Sequence, residues 1–237
     1  MWKRKPAWCR PFRLIRFRPF SQNTVRTGWT ADGYSVLHCD DWLVVVTKPS
    51  GLLSQPGRGA HLQDSLITRL QRVESDLHLV HRLDRDTSGL VLLARGLESL
   101  RRCSALFAAR KVSKLYEAEV SGSLQGSGRI DSRLARLERD PPRYGVHPDG
   151  RSSLTLWRVR RRGTNATRLW IRPLTGRSHQ LRAHLSGIGH PILGDPIYGE
   201  QIEGPMRLHA RALGFVHPFT GRRIRVSTSE VTYSHDS

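Results

Sequence analysis

The chain contains little cysteine and has no long apolar run. Its three cysteines, Cys9, Cys39 and Cys103, are too far apart to suggest a disulfide framework or a CxxC metal knuckle. Such sparse, unclustered cysteines are typical of a reduced, intracellular protein. No stretch of roughly eighteen consecutive apolar residues occurs, so the sequence predicts no membrane-spanning helix. It also contains neither a GxGxxG fingerprint nor a P-loop, which argues against a dinucleotide or P-loop nucleotide site.

Acidic residues are scarce relative to basic ones. The 237 residues include 39 Lys and Arg but only 20 Asp and Glu, which gives a formal charge of +19 and a pI near 11.3. A surplus of this size favours a polyanionic partner, with RNA or DNA as the first candidate and an acidic membrane surface as the second. Arginine-rich codon usage in a GC-rich genome is the alternative explanation. The 38% of apolar residues is enough for a packed core.

The first 31 residues contain no acidic residue at all. Basic and aromatic side chains alternate there: Lys3, Arg4, Lys5, Arg10, Arg13, Arg16, Arg18 and Arg26, with Trp2, Trp8, Phe12, Phe17 and Phe20. This mixture suits a flexible arm that touches RNA phosphates and bases. It also resembles a mitochondrial transit peptide, and a start codon assigned too far upstream would explain it as well. We therefore keep residues 1–31 outside the fold and expect a cytoplasmic protein, or a mitochondrial one if the segment is a transit peptide.

Beyond the first 31 residues the hydrophobic pattern is that of a globular domain, which we place at residues 32–233. Strands are predicted at Trp42–Thr47, Leu90–Ala94, Lys114–Val120, Leu154–Val159, Thr167–Pro173, Leu208–Phe215 and Arg223–Val226. Helices are predicted after a cap at Asp64 with Leu66, Ile67, Leu70 and Val73 inward, over Leu97–Lys111 with Leu100, Ala105, Leu106 and Ala109 inward, and over Ser178–Ile188 with Leu181, Leu185 and Ile188 inward. Pro141–Gly145 is predicted to be a loop. Many strands with few helices indicate an α+β domain.

The stretch from His81 to Gly89 is the most informative part of the sequence. It sets the carboxylate of Asp84 among basic residues, and a tight turn then leads into the apolar run that starts at Leu90. A buried carboxylate needs a cationic partner, whereas a solvated one needs no such setting. Asp84 is therefore a candidate for chemistry, and the alternative is that it caps a turn or forms a structural ion pair.

Several motifs, in the same order, resemble those of the RluA-type pseudouridine synthases. They are Lys48–Ser54, His81–Asp84 with Thr87–Gly89, Lys114–Tyr116, Arg172–His184 and Gly189–Asp195, and the resemblance covers Val36 to Val226. It implies a single α+β catalytic domain with a mixed, largely antiparallel central sheet, flanking helices and an RNA-binding cleft. It also implies the short form without an S4 domain, acting on stem-loops of large-subunit rRNA, tRNA or both. We expect a monomer and infer no obligate protein partner. Segment Asp131–Arg151 fits the family pattern poorly, and we place no site there.

The resemblance also assigns roles to residues. The family detaches uracil from C1′ of the ribose, turns it and reattaches it through carbon, which requires no cofactor. Asp84 matches the catalytic carboxylate, as nucleophile or as stabiliser of an intermediate. Arg182 matches the arginine that pairs with it, with Arg177 as the competing candidate. Tyr116 matches the tyrosine that stacks on the flipped target base, although an ordinary core aromatic is the alternative.

Other polar residues near these motifs receive secondary assignments. Arg82 is predicted to fill the space vacated by the flipped base or to hold a phosphate, and His81 to orient the loop. Asp86 is expected to face solvent or an arginine rather than Mg²⁺, and no metal site is predicted. His179 and His184 are expected to be structural or to contact RNA. The competing functional hypothesis is a non-catalytic RNA-binding or ribosome-assembly protein that retains the fold.

Overall fold

The computed structural model describes residues 30–31, 33–200 and 202–229, which form one sheet of twelve strands and three α-helices. The strands are β1 Thr30–Ala31, β2 Tyr34–Cys39, β3 Leu43–Lys48, β4 Leu77–Leu79, β5 Ser88–Arg95, β6 Ser113–Ser121, β7 Ser127–Arg139, β8 Pro142–Val146, β9 Arg151–Arg162, β10 Ala166–Pro173, β11 Leu208–Val216 and β12 Arg223–Ser227. The helices are α1 Leu66–Gln71, α2 Gly96–Ala108 and α3 Gln180–Gly187, and a short 3₁₀ turn covers Ala60–Leu62.

The sheet is mixed but mostly antiparallel. Its strand order is β1-β2-β3-β5-β11-β6-β10-β9-β7-β8, with β12 beside β11 and β4 beside β5. Only the β5–β11 pair is parallel among the described strands. The predicted α+β class with a largely antiparallel central sheet is therefore confirmed.

Gly89 allows β5 to begin against β11. It lies opposite Ala210 in the parallel ladder and has a φ of +111°, and a Cβ atom there would overlap the Ala210 backbone. Only glycine tolerates both the backbone angle and the close approach. The loop that precedes β5 is thereby held at the middle of the sheet.

Strand β5 supplies both apolar layers of this half of the protein. Val91 and Leu93 pack on the face that also receives α1, and Leu90 and Leu92 pack on the face covered by α2. A strand that is buried on both faces has a continuous apolar sequence, which explains the run that starts at Leu90.

Helix α2 turns a different face inward than the sequence predicted. Its buried positions are Ser99 and Cys103, and the partly buried Leu106 and Phe107 pack on the same core. These positions follow the helical spacing of one stripe. Ala105 and Ala109, predicted to face inward, are exposed, and Leu100 is only half-buried. Alanine carries too little apolar surface to fix which face of a helix is buried.

Four further local predictions are wrong. Ser65 rather than Asp64 caps α1 through a reciprocal capping box with Thr68, and Val73 lies beyond the helix end with 56% of its surface exposed. Ile188 likewise follows the end of α3 and is partly exposed. Residues 142–146 form β8 rather than a loop, since proline is tolerated as the first residue of a strand at a sheet edge.

On β6, two glutamates point to the face opposite Tyr116 and are buried there. Together with four arginines they form what we call the back-face ion cluster: Glu117, Glu119, Arg160, Arg168, Arg207 and Arg211. The carboxylate of Glu117 lies 3.0 Å from Arg160 and 3.6 Å from both Arg168 and Arg211. The central strand therefore carries a charged layer behind the apolar one.

The described residues contain no helix long and apolar enough to cross a membrane. The predicted basic arm, apart from Thr30–Ala31 in β1, lies outside the described residues, and the domain bounds 32–233 stay a prediction.

Candidate active site

The loop from His81 to Thr87, which we call the Asp84 loop, is anchored by the Lys48–Ser54 segment. Lys48 Nζ donates to the backbone carbonyl of Arg85 at 2.8 Å, and also to the carbonyls of Pro49 and Leu52 at 2.7 Å each. Ser54 Oγ donates to the carbonyl of Leu83 at 2.7 Å and accepts from its N–H at 3.1 Å. These bonds satisfy the loop's backbone and fix its path, which holds Asp84 in place.

Lys48 is a site residue that the sequence reasoning missed. Its side chain is almost completely buried. Burial lowers its pKa to about 8, and the charges of Asp86 and Asp84 oppose that shift. The Lys48–Ser54 motif was the available signal, but a motif alone does not reveal that its lysine binds backbone carbonyls instead of substrate.

His81 fastens the other end of the Asp84 loop. Its Nε2 accepts a hydrogen bond from the backbone N–H of Leu92 at 3.1 Å, and its ring stacks on Phe107 with centroids 4.7 Å apart. Burial, with a smaller effect of the Lys114 charge, lowers the pKa of His81 to about 3. The ring is therefore neutral at neutral pH, and its contacts match the predicted loop-orienting role.

The structure brings Asp84 and Arg182 together. Arg182 Nη1 lies 3.5 Å from Asp84 Oδ2, with the arginine side chain 2% exposed and the aspartate side chain 29% exposed. Arg177, the competing candidate, instead donates from Nε to the carbonyl of Ser152. Between the two predicted arginines, geometry therefore selects Arg182 as the partner of Asp84.

Asp195 holds Arg182 in place and was not predicted as a site residue. Arg182 donates from Nε and Nη2 to the two carboxylate oxygens of Asp195, both at 2.7 Å. Asp195 Oδ1 also accepts from the backbone N–H groups of Ile197 and Tyr198. Burial opposes the charge on Arg182, but the hydrogen bonds and negative charge of Asp195 raise the pKa of the guanidinium overall. The available signal was the Gly189–Asp195 motif, which shows no partner for its aspartate.

Tyr116 lies on β6, which is flanked in the sheet by β11 on one side and β10 on the other. Its half-buried ring packs against both neighbouring apolar clusters. Burial and the nearby negative charge of Asp84 both raise its pKa, so the phenol stays protonated. The aromatic ring thus belongs to the core, and the charge of Asp84 is near enough to raise the pKa of its phenol.

Three aromatic side chains, those of Tyr144, His179 and Tyr198, meet at the start of α3. The hydroxyl of Tyr198 accepts from the backbone N–H of Tyr144 at 2.7 Å and is 3.1 Å from His179 Nδ1. The ring of Tyr198 also lies 5.2 Å from the Arg182 guanidinium carbon. His179 has a left-handed φ of 51°, directly before the helix begins. Tyr144 belongs to β8, so the edge hairpin β7–β8 reaches the site despite the sequence-based expectation of no site there.

His184 is structural. Its Nε2 is 3.0 Å from Ser132 Oγ and 2.8 Å from Ser153 Oγ, and its Nδ1 is 2.9 Å from Thr155 Oγ1. Burial lowers its pKa to about 4. A neutral imidazole therefore fastens α3, the helix that carries Arg182, to β7 and β9.

The remaining predicted residues, Arg82 and Asp86, belong to the Asp84 loop itself. Asp86 pairs with Arg85 at 3.0 Å, as expected of a carboxylate that faces an arginine, and Arg82 is exposed beside Asp84. Within the described part of the chain, no group of three or more His, Cys, Asp or Glu side chains is arranged to hold a metal ion. The site thus offers a partly exposed carboxylate with a cation fixed beside it, suited to nucleophilic or electrostatic catalysis at an electrophilic carbon.

Comparison with known proteins agrees with this chemistry. A family model described as RNA pseudouridylate synthase matches residues 42–187. The dual-specificity RNA pseudouridine synthase RluA of Vibrio parahaemolyticus is 42% identical over 190 residues, covering 76% of each chain. The ribosomal large subunit pseudouridine synthase D of Xanthomonas campestris is 36% identical over 215 residues, covering 81% of this chain and 65% of the relative.

Solved structures give the same result for the fold. Human RNA pseudouridylate synthase domain containing 1 superimposes with a TM-score of 0.72 at 26% identity, covering 86% of each chain. Human RNA pseudouridylate synthase domain containing 4 superimposes with a TM-score of 0.66 at 26% identity, covering 82% of this chain and 87% of that one. With the family model matching more than half of the sequence, the chain belongs to the RluA-type RNA pseudouridine synthases.

Proposed function

We propose that this RNA pseudouridine synthase converts specific uridines in stem-loops of large-subunit rRNA, tRNA or both, with Asp84 as its catalytic carboxylate. The observation that carries the proposal is the unequal sharing of Arg182. Asp195 binds the guanidinium through two short hydrogen bonds, while Asp84 is 3.5 Å away and 29% exposed. Asp84 therefore keeps a cation beside it and remains accessible to a substrate.

The reaction conserves the atoms of the nucleotide. The bond between N1 of uracil and C1′ breaks, a bond between C5 and C1′ forms, and the C5 proton leaves as N1 gains one. Asp84 serves either as a nucleophile or as an electrostatic stabiliser of the charge that develops while the base is detached. The fixed positive charge of Arg182 balances the carboxylate between these steps. Neither redox chemistry nor an added group is required by this balance.

Tyr116 and Arg82 act on the base and the RNA in this scheme. The ring of Tyr116 stacks on the extruded uracil, and its raised pKa keeps the phenol protonated as a hydrogen-bond donor. Extruding a base from its stack costs a few kcal/mol. Arg82, exposed beside Asp84, occupies the vacated space or holds a phosphate.

The substrate class follows from charge and from the relatives. The surplus of 39 basic over 20 acidic residues favours a structured polyanion. The relatives described above are named for dual specificity and for the large ribosomal subunit. A non-catalytic RNA-binding role would use the same charge, but it would not need a partly exposed Asp84 beside a buried Arg182.

The test is a map of pseudouridine in cellular RNA from a deletion strain that carries the parent gene or Asp84→Ala. The parent should restore the modification, and Asp84→Ala should lower its rate at least about 1000-fold because the reacting carboxylate is lost. Asp149→Asn, whose side chain is 91% exposed, is the matched control and should behave as the parent. Full modification by Asp84→Ala as the sole source would refute the catalytic assignment.

A further inference from the structure

An open cavity lies beside the Asp84 loop. Its volume is about 400 Å³, which falls in the range of small-ligand sites. Arg85 and Asp86 form one wall, and Pro196, Ile202, Pro205 and Met206 contribute to the other. None of the contacts described for Asp84, Arg182 and Tyr116 uses this space.

Both walls adjoin the candidate active site. Asp86 follows Asp84 by two residues, so their Cα atoms are at most about 7 Å apart. Pro196 directly follows Asp195, which holds Arg182. A nucleotide held at Asp84 thus has its chain neighbour, one phosphodiester away, within reach of the cavity.

The walls differ in chemistry, and the difference orients a nucleotide. Pro196, Ile202, Pro205 and Met206 offer apolar surface on which a planar base can lie. The Arg85 side chain is 56% exposed, with its Nε held by Asp86 at 3.0 Å. This bond orients the guanidinium, which lines the cavity, and leaves its other N–H groups able to reach a phosphate. The Asp86 carboxylate repels a phosphate but accepts hydrogen bonds from a base.

We propose that this cavity binds the base of a nucleotide adjacent to the target uridine, with the intervening phosphate on Arg85. The proposal rests on the proposed function and deepens it, because it requires the enzyme to unstack two consecutive nucleotides. The preferred substrate is then a loop or bulge in which the target and its neighbour are both unpaired. A target flanked by stable base pairs on both sides would react more slowly.

The experiment measures kcat/KM on a stem-loop substrate and on copies in which the nucleotide 5′ or 3′ of the target is abasic. With the parent protein, removing the base on one of the two sides should lower kcat/KM about tenfold, the order expected for losing one stacked base. Ile202→Trp, which fills the cavity, should lower kcat/KM about tenfold on intact RNA. The abasic change should then add nothing, because the same interaction is already lost.

Controls separate a blocked cavity from a damaged fold. Val73→Trp, at a position 56% exposed beyond the end of α1, is the matched surface substitution and should leave both RNA comparisons as in the parent. Arg85→Gln should raise KM more than it lowers kcat and reduce the salt dependence of binding by about one phosphate contact.

The outcomes discriminate between this inference and the function on which it rests. Multiplicative effects of Ile202→Trp and the abasic change, or a parent indifferent to both abasic positions, would overturn the cavity proposal alone. A parent protein that forms no pseudouridine in RNA would instead overturn the proposed function.

Discussion

Two buried charge clusters lie on either side of the central sheet, and they share their cations in opposite ways. In the active site a single arginine, Arg182, faces two carboxylates, those of Asp84 and Asp195. In the back-face ion cluster two glutamates face four arginines. Carboxylates are in excess on one side and cations on the other.

The consequence appears in the accessibility of each carboxylate. Glu117 is completely buried among cations, whereas Asp84 lies 3.5 Å from Arg182 and is 29% exposed. A carboxylate surrounded by arginines is committed to the fold, while one that shares a single arginine with a stronger competitor keeps the capacity to react. Asp84 shares the fixed guanidinium of Arg182 with Asp195 and keeps an accessible carboxylate, in a protein with a large surplus of positive charge.

Breaking the Asp195 contact is expected to have the largest effect on this contrast. In Asp195→Asn, Arg182 loses a two-oxygen acceptor and turns towards Asp84, which displaces the carboxylate. We expect kcat to fall about 100-fold, as a displacement of around 1 Å at reacting atoms can cause. We also expect a loss of about 3 kcal/mol in the free energy of unfolding, because the variant disrupts a buried pair. Single-turnover kinetics and thermal unfolding measure the two effects.

Arg182→Lys provides the complementary change. A lysine keeps the charge but cannot serve both carboxylates with a planar fork, so it should lose activity as well. If Asp195→Asn lowers stability while the single-turnover rate stays that of the parent, Asp195 supports the fold only, and the comparison between the two clusters loses its functional half.

Removing a carboxylate from the back face should affect folding alone. Glu117→Ala leaves Arg160, Arg168 and Arg211 without their shared acceptor, and we expect a loss of about 3 kcal/mol in the free energy of unfolding. The rate per folded molecule should match the parent. Denaturant unfolding and active-site-normalised rates test this, with Glu203→Ala at an exposed position as the control. A reduced kcat in fully folded Glu117→Ala would show that the back-face charge acts on the site.

The pattern of strands and helices predicted the fold class, and the resemblance of the motifs to the family predicted the Asp84–Arg182 pair. Strand β5 is buried on both faces and therefore has a continuous apolar run, which is visible in the sequence alone. Asp84 and Arg182 belong to motifs whose order is itself the signal. In contrast, the edge strand β8 was predicted as a loop because Pro142, which begins it, and its polar residues show no burial pattern.

The residues that the sequence did not reveal act through long-range partners. Asp195 meets Arg182 across a turn, and Lys48 binds the carbonyl of Arg85, 37 positions away. Tyr144 reaches Tyr198 by the pairing of an edge hairpin. Spacing along the sequence does not predict these contacts, because sheet register and helix packing create them only when the chain folds.

The expected effect that is smallest at neutral pH concerns the attachment of α3, which carries Arg182. His184 must remain neutral, since burial lowers its pKa from the ordinary 6.5 to about 4. Between pH 6.5 and 4 the unfolded chain binds a proton at His184 and the folded chain does not. The free energy of unfolding therefore falls as the pH falls. His184→Gln should remove up to about 1.4 kcal/mol per pH unit from that slope, because glutamine does not titrate. Urea unfolding at several pH values measures it, with the exposed His61→Gln as control. An unchanged slope in His184→Gln would mean that α3 is held to β7 and β9 without the protonation constraint, and that the position of Arg182 depends on Asp195 alone.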